Sequence, residues 1–180
     1  DTNFDFGSDQ LVDLFDELPL WAAPFGLKLL KSINYRKNMS ALDIGFGAGF
    51  PLTEIAMRLG NSCTVYGIDP WEAAIKRTQK KLDFYGITNA QLINGVAENI
   101  ALPDNSIDLI TSNNGLNNVE DIAKALNECN RIAKRGAQLI HTFNLNNTMY
   151  EFYEVLAQVL GENKLYEALV AMEQQIYKKR

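Results

Sequence analysis

The sequence predicts an α/β fold of three layers, a mostly parallel sheet with helices on both faces. Three observations predict it. Short apolar runs alternate with longer stretches of helical periodicity, the pattern that feeds parallel strands through right-handed crossovers. The stretch ALDIGFGAGFP, residues 41–51, reads as strand, tight glycine turn and helix. The next apolar run, residues 64–68, ends in an acid, Asp69.

Each element follows from its own residues. Ser8 can cap a first helix whose apolar positions Leu11, Val12, Leu14 and Phe15 recur at helical spacing, with Pro19 closing it. A second helix runs from Leu20 or Pro24 to Ile33, with Phe25, Leu29, Leu30 and Ile33 in one stripe and Trp21 just ahead. The first strand covers 40–44. The helix after it carries Pro51 in its first turn, where a missing N–H costs nothing, and stops at Gly60. The second strand, 64–68, leads to a helix over 71–85 with Trp71, Ile75, Thr78, Leu82 and Tyr85 on one face, Lys76, Lys80 and Lys81 in solvent, and Gly86 as stop. The third strand is 90–94. The fourth, 107–112, runs into SNNGLNN, whose Asn and Gly residues mark a loop. A helix over 119–133 points Ile122, Leu126, Cys129 and Ile132 inward, and Gly136 precedes a fifth strand over 138–143. Beyond it Asn147 and Asn163 are candidate caps for two more helices, one burying Phe152, Leu156 and Val159, the other Leu165, Leu169, Met172 and Ile176.

Composition narrows the class. At 180 residues the chain is expected to be one domain: a helical cap over 1–39, a binding core over 40–143 and C-terminal helices over 144–180. A net charge of −5 disfavours a nucleic-acid binder, which needs a basic surface to neutralise phosphates. No apolar run reaches the ~20 residues of a membrane helix, and the acidic start DTNFDFGSD is unlike a signal peptide, so a cytoplasmic protein is expected. Two cysteines, Cys63 and Cys129, make no disulfide framework and read as buried small hydrophobes. With His141 the single histidine, no zinc-ligand cluster assembles and no metal is expected.

The glycine turn is the chemical centre. Gly45, Gly47 and Gly49 permit positive φ and let a ligand approach the main chain with no Cβ in the way. Such a strand-to-helix crossing is where open α/β sheets bind nucleosides. The dinucleotide fingerprint needs Gly or Ala at position 50, and Phe50 stands there, which argues against a nicotinamide-dependent oxidoreductase. An acid at the tip of the second strand suits the two hydroxyls of an unphosphorylated ribose. With LDIGFGAG, then YGIDP, then GVAENIALPDNSIDLI at these intervals, residues 40–143 resemble the class I S-adenosylmethionine-dependent methyltransferases, nearest the ubiquinone/menaquinone-biosynthesis type.

The resemblance implies a Rossmann-like sheet and transfer of a methyl group from S-adenosyl-L-methionine to a small organic acceptor, leaving S-adenosyl-L-homocysteine. The main chain of Gly45 and Gly47 should border the methionine part, with Asp43 orienting its amino group directly or through water. Asp69 should accept from the ribose hydroxyls. Pro70 and Trp71 follow, Trp71 lying against the adenine or in the core. Where the family has Gly-Asp-Ala this chain has Gly-Val-Ala, so the Ala97 main chain and Glu98 must do more at the adenine edge; Glu98 equally reads as a helix-start acid. Asn113 and Asn114, after the fourth strand, stand nearest the reacting methyl or simply build a turn. His141 is either structural or the general base. Trp21 and Phe25 are either core contacts or part of a lid. The family ends with two further strands that this sequence lacks, so a shortened chain is expected, as is a fifth strand whose free edge pairs in a homodimer or is covered by the last helices. A donor-binding module without catalysis is the competing reading.

Overall fold

A computed structural model describes residues 5–17, 22–145 and 147–178. It divides the chain into two compact units, Asp1–Thr142 and Phe143–Arg180.

The first unit contains α1 (Asp9–Glu17), α2 (Ala23–Lys31), β1 (Ser40–Ile44), α3 (Leu52–Leu59), β2 (Thr64–Asp69), α4 (Glu72–Tyr85), β3 (Ala90–Asn94), β4 (Ile107–Asn113), a short 3-10 turn (Gly115–Asn118), α5 (Ile122–Ile132) and β5 (Ala133–Thr142). The strands form one parallel sheet in the order β3-β2-β1-β4-β5. That order reverses direction between β1 and β4, and the carboxyl ends on either side of the reversal open a crevice.

Alternation along the strands fills both faces. Ala41, Val65 and Leu109 pack with Leu29 and Leu30 of α2 and Leu52, Ile55 and Ala56 of α3. Their sequence neighbours Leu42 and Ile110 pack on the other face with Ala125, Cys129 and Ile132 of α5 and with Ala97 and Ile100. The expected three layers are present. The connection from β3 to β4 runs through residues 95–106 without a helix. Arg131 fastens it to α5, donating to the Leu102 and Ile100 carbonyls while pairing with Glu128, whose Oε2 accepts the Ile100 N–H at 2.8 Å.

Several expected faces are corrected. On α4 the buried side chains are Ala73, Ala74, Thr78 and Leu82, while Tyr85 is 60% exposed. Lys81 is not a solvated lysine: it pairs with Asp16 and donates to the Ala48 carbonyl. On α5 the inward face is Ala125, Cys129 and Ile132; Ile122 and Leu126 are exposed. Pro51 is the residue ahead of α3 rather than in its first turn. Strand β5 begins at Ala133, not after Gly136. Ile107 pairs with Ala133 and Leu109 with Gln138, so the residues between bulge out, with Gly136 at a φ of +81°. Lys134 in that bulge pairs with Asp108 at 2.7 Å. In α1 only Val12 is buried, and Phe25 of α2 is half exposed. Pro19 and Trp21 lie outside the described residues.

The second unit is two helices, α6 (Tyr150–Glu162) and α7 (Tyr166–Lys178), packed on one another. Asn163 closes α6 at its C-terminus, its Nδ2 donating to the Val159 carbonyl, instead of opening α7. Met149 rather than Asn147 precedes α6. Phe152, Val159 and Leu165 are exposed, contrary to the inward faces expected. Among the described residues no strand follows β5, and no helix is long and apolar enough to cross a membrane.

Candidate functional site

The tips of β1, β2 and β4 surround a cleft of about 870 Å³. Gly45 follows β1 with φ +71°, and its N–H continues the strand pairing to the Ile68 carbonyl at 2.8 Å. A Cβ at Gly45 would lie 2.5 Å from Cα of Gly115, so the two glycines let the loops after β1 and β4 touch back to back. Gly47, at φ +52°, is different: a Cβ there would meet nothing within 4 Å. Its α-carbon faces open space in the cleft wall, as a cradle for a ligand requires. Gly49 is not part of that wall. A Cβ on it would press on Thr78 at 3.2 Å, so this glycine lets the loop pack closely on α4.

The loop is held by fixed partners. Asp69, 7% exposed, accepts the Gly47 N–H at 2.8 Å through Oδ2 and the Trp71 N–H at 2.8 Å through Oδ1. Burial pushes its carboxyl up from the ordinary value, and those two N–H bonds oppose the shift. Each oxygen keeps a further lone pair, so the acid can brace the loop and still accept from a ligand. Thr78 donates to the Gly47 carbonyl at 3.0 Å.

Asp43 is fully buried and is not part of the cleft wall. Its neighbour across the sheet, Thr111, donates to Oδ1 at 2.7 Å, and Oδ2 is buried with no partner. Burial, helped by the negative charge of Asp69 and opposed by Thr111, pushes the Asp43 carboxyl from 3.8 to about 7.

Pro70 and Trp71 line the cleft beside Asp69. The Trp71 ring meets Phe15 edge-on at 5.5 Å and Phe6 at 5.8 Å, and its Nε1 donates to the Phe6 carbonyl at 2.6 Å. Trp71 is thus both wall and anchor for the segment carrying α1. Across the cleft lie Gly95, Val96, Ala97 and Glu98. Glu98 Oε1 accepts the Glu120 and Asp121 N–H groups at 2.7 and 3.1 Å. It thus holds the chain just ahead of α5, whose own cap is Asp121.

At the tip of β4 the two asparagines are already partnered. Asn113 Nδ2 donates to the Ala22 carbonyl ahead of α2, at 3.1 Å. Thr142 Oγ1 lies 2.9 Å from Asn113 Oδ1 and 3.1 Å from Asn114 Oδ1, and accepts the Asn114 N–H at 2.9 Å. One hydroxyl proton serves one of the two amide oxygens at a time. Asn114, at φ +63°, also opens the 3-10 turn, so the turn expected from its residue type is present. His141, paired in register with Ser112, is exposed and does not line the cleft. The structure thus brings together Gly45, Gly47, Asp69, Pro70, Trp71, Ala97, Glu98, Asn113 and Asn114, and leaves out Asp43, Gly49 and His141.

Sequence reasoning missed other members. Phe50 lines the cleft, and a Cβ on Gly26 would lie 2.2 Å from its ring, so that glycine lets α2 close on Phe50. A glycine inside a helix was the available signal. Gly115 could have been found as the first glycine beyond a buried strand. Thr142 and Lys81, which hold lining residues from outside the wall, gave none, because their partners lie far off in sequence.

The cleft offers an uncovered glycine main chain, a braced acid and apolar side chains, features that suit a nucleoside-like ligand. Comparisons with known proteins agree. A model of the methyltransferase domain matches residues 42–141, more than half of the chain. The chain is 31% identical over 127 residues to a demethylmenaquinone methyltransferase of Geobacillus kaustophilus, covering 71% of this chain and 54% of that protein. It is 29% identical over 143 residues to the Staphylococcus aureus protein of the same name, covering 79% and 57%. It thus spans about half the length of these relatives. Among solved structures, a SAM-dependent methyltransferase from Aquifex aeolicus superposes with a TM-score of 0.65 at 28% identity, over 74% of this chain and 71% of that one. The chain belongs to the methyltransferase domain family, the class I S-adenosylmethionine-dependent type that its glycine loop and strand-end acid resemble.

Proposed function

We propose that the cleft binds S-adenosylmethionine and that the chain transfers its methyl group to a small, largely apolar organic acceptor. The observation that carries this reading is Gly47: an uncovered α-carbon at positive φ, its N–H and carbonyl both held from behind, beside a buried acid. When bound, the donor supplies a methyl group already activated by sulfonium charge. What remains for the protein is placement and exclusion of water. Asp69 would accept from the ribose hydroxyls, Trp71 and Pro70 would border the adenine with Val96 and Ala97, and Asp43 would act on the amino group through water. Phe15, Phe50 and Val119 give the wall an apolar character that suits an aromatic acceptor. A demethylated menaquinol of the kind in its relatives' name is the first acceptor to assay. The net charge of −5 supports a small molecule over nucleic acid.

One observation favours a second reading, a donor-binding module without catalysis. A carboxamide takes up no proton, both asparagine side chains are engaged, and His141 lies outside the wall. Calorimetric titration with S-adenosylhomocysteine and NAD, followed by transfer of labelled methyl to a short-chain demethylmenaquinol, separates the readings. Binding of S-adenosylhomocysteine with transfer supports the first and binding without transfer the second. Binding of NAD alone contradicts both.

A further inference from the structure

Behind the cleft wall, a chain of polar contacts runs from the glycine loop to α1. Gly47 is clamped at its N–H by Asp69 and at its carbonyl by Thr78, which is fully buried. The next carbonyl, Ala48, accepts from Lys81 Nζ at 2.8 Å. The same ammonium pairs with Asp16 Oδ1, and Arg77 Nε donates to Asp16 Oδ2 at 2.8 Å. The Asp16 and Lys81 side chains are 13% and 25% exposed, so this pair is shielded from solvent more than an ordinary surface bridge. An ammonium has three donors, and two go to groups on opposite sides of the tie.

Besides this tie, helix α1 is held by an Arg77–Asp13 ion pair at 3.2 Å and by the Trp71 contacts to Phe6 and Phe15. Val12 is its single buried residue among those described, and Phe15 reaches Trp71 edge-on. Yet Phe15 and Asp16 both line the cleft. Elements with few buried apolar contacts open locally at low free energy, so the polar tie adds directly to what keeps α1 in place.

We propose that Lys81 and Asp16 are positioning residues that couple the glycine loop to α1, setting the donor cradle and the Phe15 wall together. The functional meaning rests on the donor reading above; the coupling itself does not. Asp16 reaches the loop through Lys81, so a change at Asp16 that is felt at Gly47 reports the coupling and not a lost contact.

The test is hydrogen–deuterium exchange, read by mass spectrometry, on the full chain and on variants that melt cooperatively. Asp16→Ala, or Asp16→Asn if the alanine variant fails to fold, should speed exchange at residues 45–50 at least about threefold as well as in α1. Lys81→Met should speed both segments, and Lys81→Arg, which keeps the charge, should stay within about twofold of the parent. Faster exchange confined to α1 in the Asp16 variant, or an unchanged α1 in Lys81→Met, overturns the coupling. A separate titration with S-adenosylhomocysteine tests the donor reading: a parent that does not bind it refutes that reading and leaves the exchange result to decide the coupling.

Discussion

The two strand tips that frame the cleft are built on different principles. At β1 and β2 the loop is held through its main chain: Gly47 gives an N–H to Asp69 and a carbonyl to Thr78, and Gly45 packs on Gly115. At β4 and β5 the contacts run through side chains, Thr142 bridging Asn113 and Asn114 while Asn113 reaches the Ala22 carbonyl. On the proposed reading, a main-chain cradle fixed before any ligand arrives supplies the affinity for the donor. A side-chain network can exchange partners when an acceptor enters. Changes at the first tip should therefore abolish donor binding, and changes at the second should spare it.

The largest expected effect is at Gly47. Gly47→Val puts a branched side chain into the cradle and strains a residue at φ +52°, at ~1–3 kcal/mol of stability. The variant should still melt cooperatively. Affinity for S-adenosylhomocysteine should fall at least ~100-fold, or ~2.7 kcal/mol, by calorimetry. Asp69→Ala comes next: it removes the acid proposed to accept from the ribose and releases the Gly47 and Trp71 N–H groups, for an expected loss of at least ~tenfold. An affinity equal to the parent's in either folded variant breaks the comparison at its stronger side.

Thr142→Val sharpens the other side. It keeps the shape and deletes the hydroxyl that orients both asparagines. Donor affinity should stay within about twofold, while turnover with an acceptor falls ~3–10-fold, the scale of one neutral hydrogen bond. A donor affinity that falls with turnover would place Thr142 in the cradle.

What was legible in the sequence follows the same division. Strands β1 to β3, the glycine loop and Asp69 were readable because their roles depend on local residue type: glycine where φ is positive, an acid at a strand end. The bulge before Gln138 was not, since it depends on Lys134 finding Asp108. The inward face of α5 was half legible: Cys129 and Ile132 are buried as expected, but Ala125, small enough for close packing, is buried while Ile122 and Leu126 are exposed. Glu98 lines the cleft, but its hold on the Glu120 and Asp121 N–H groups ahead of α5 depends on residues far off in sequence and was not readable. Asn113 and Asn114 were placed correctly in the chain, but their partners Ala22 and Thr142 are far off in sequence.

A separate effect, on stability and not on binding, lies beneath the cradle. The Asp43 carboxyl, held at about 7 in the folded protein against an ordinary 3.8, binds a proton that the unfolded chain has already released in between. Its contribution to stability is therefore fully present below pH 3.8 and is lost as pH rises to about 7. Asp43→Asn should remove that dependence, flattening the fall by up to ~1.4 kcal/mol per pH unit inside the window. Denaturant titrations of both proteins at intervals between pH 4.5 and 7.5 measure it; parallel curves would mean that Asp43 stays ionised in the fold.

The central claim, that a main-chain cradle at β1 and β2 takes the donor, is tested most directly by backbone amide resonances of the 15N-labelled chain during titration. S-adenosylhomocysteine should shift Gly45, Gly47, Trp71 and Ala97 strongly and His141 hardly at all, with NAD giving no saturable change. Unmoved Gly45 and Gly47 amides at saturating S-adenosylhomocysteine, or the same shifts produced by NAD, would contradict the account.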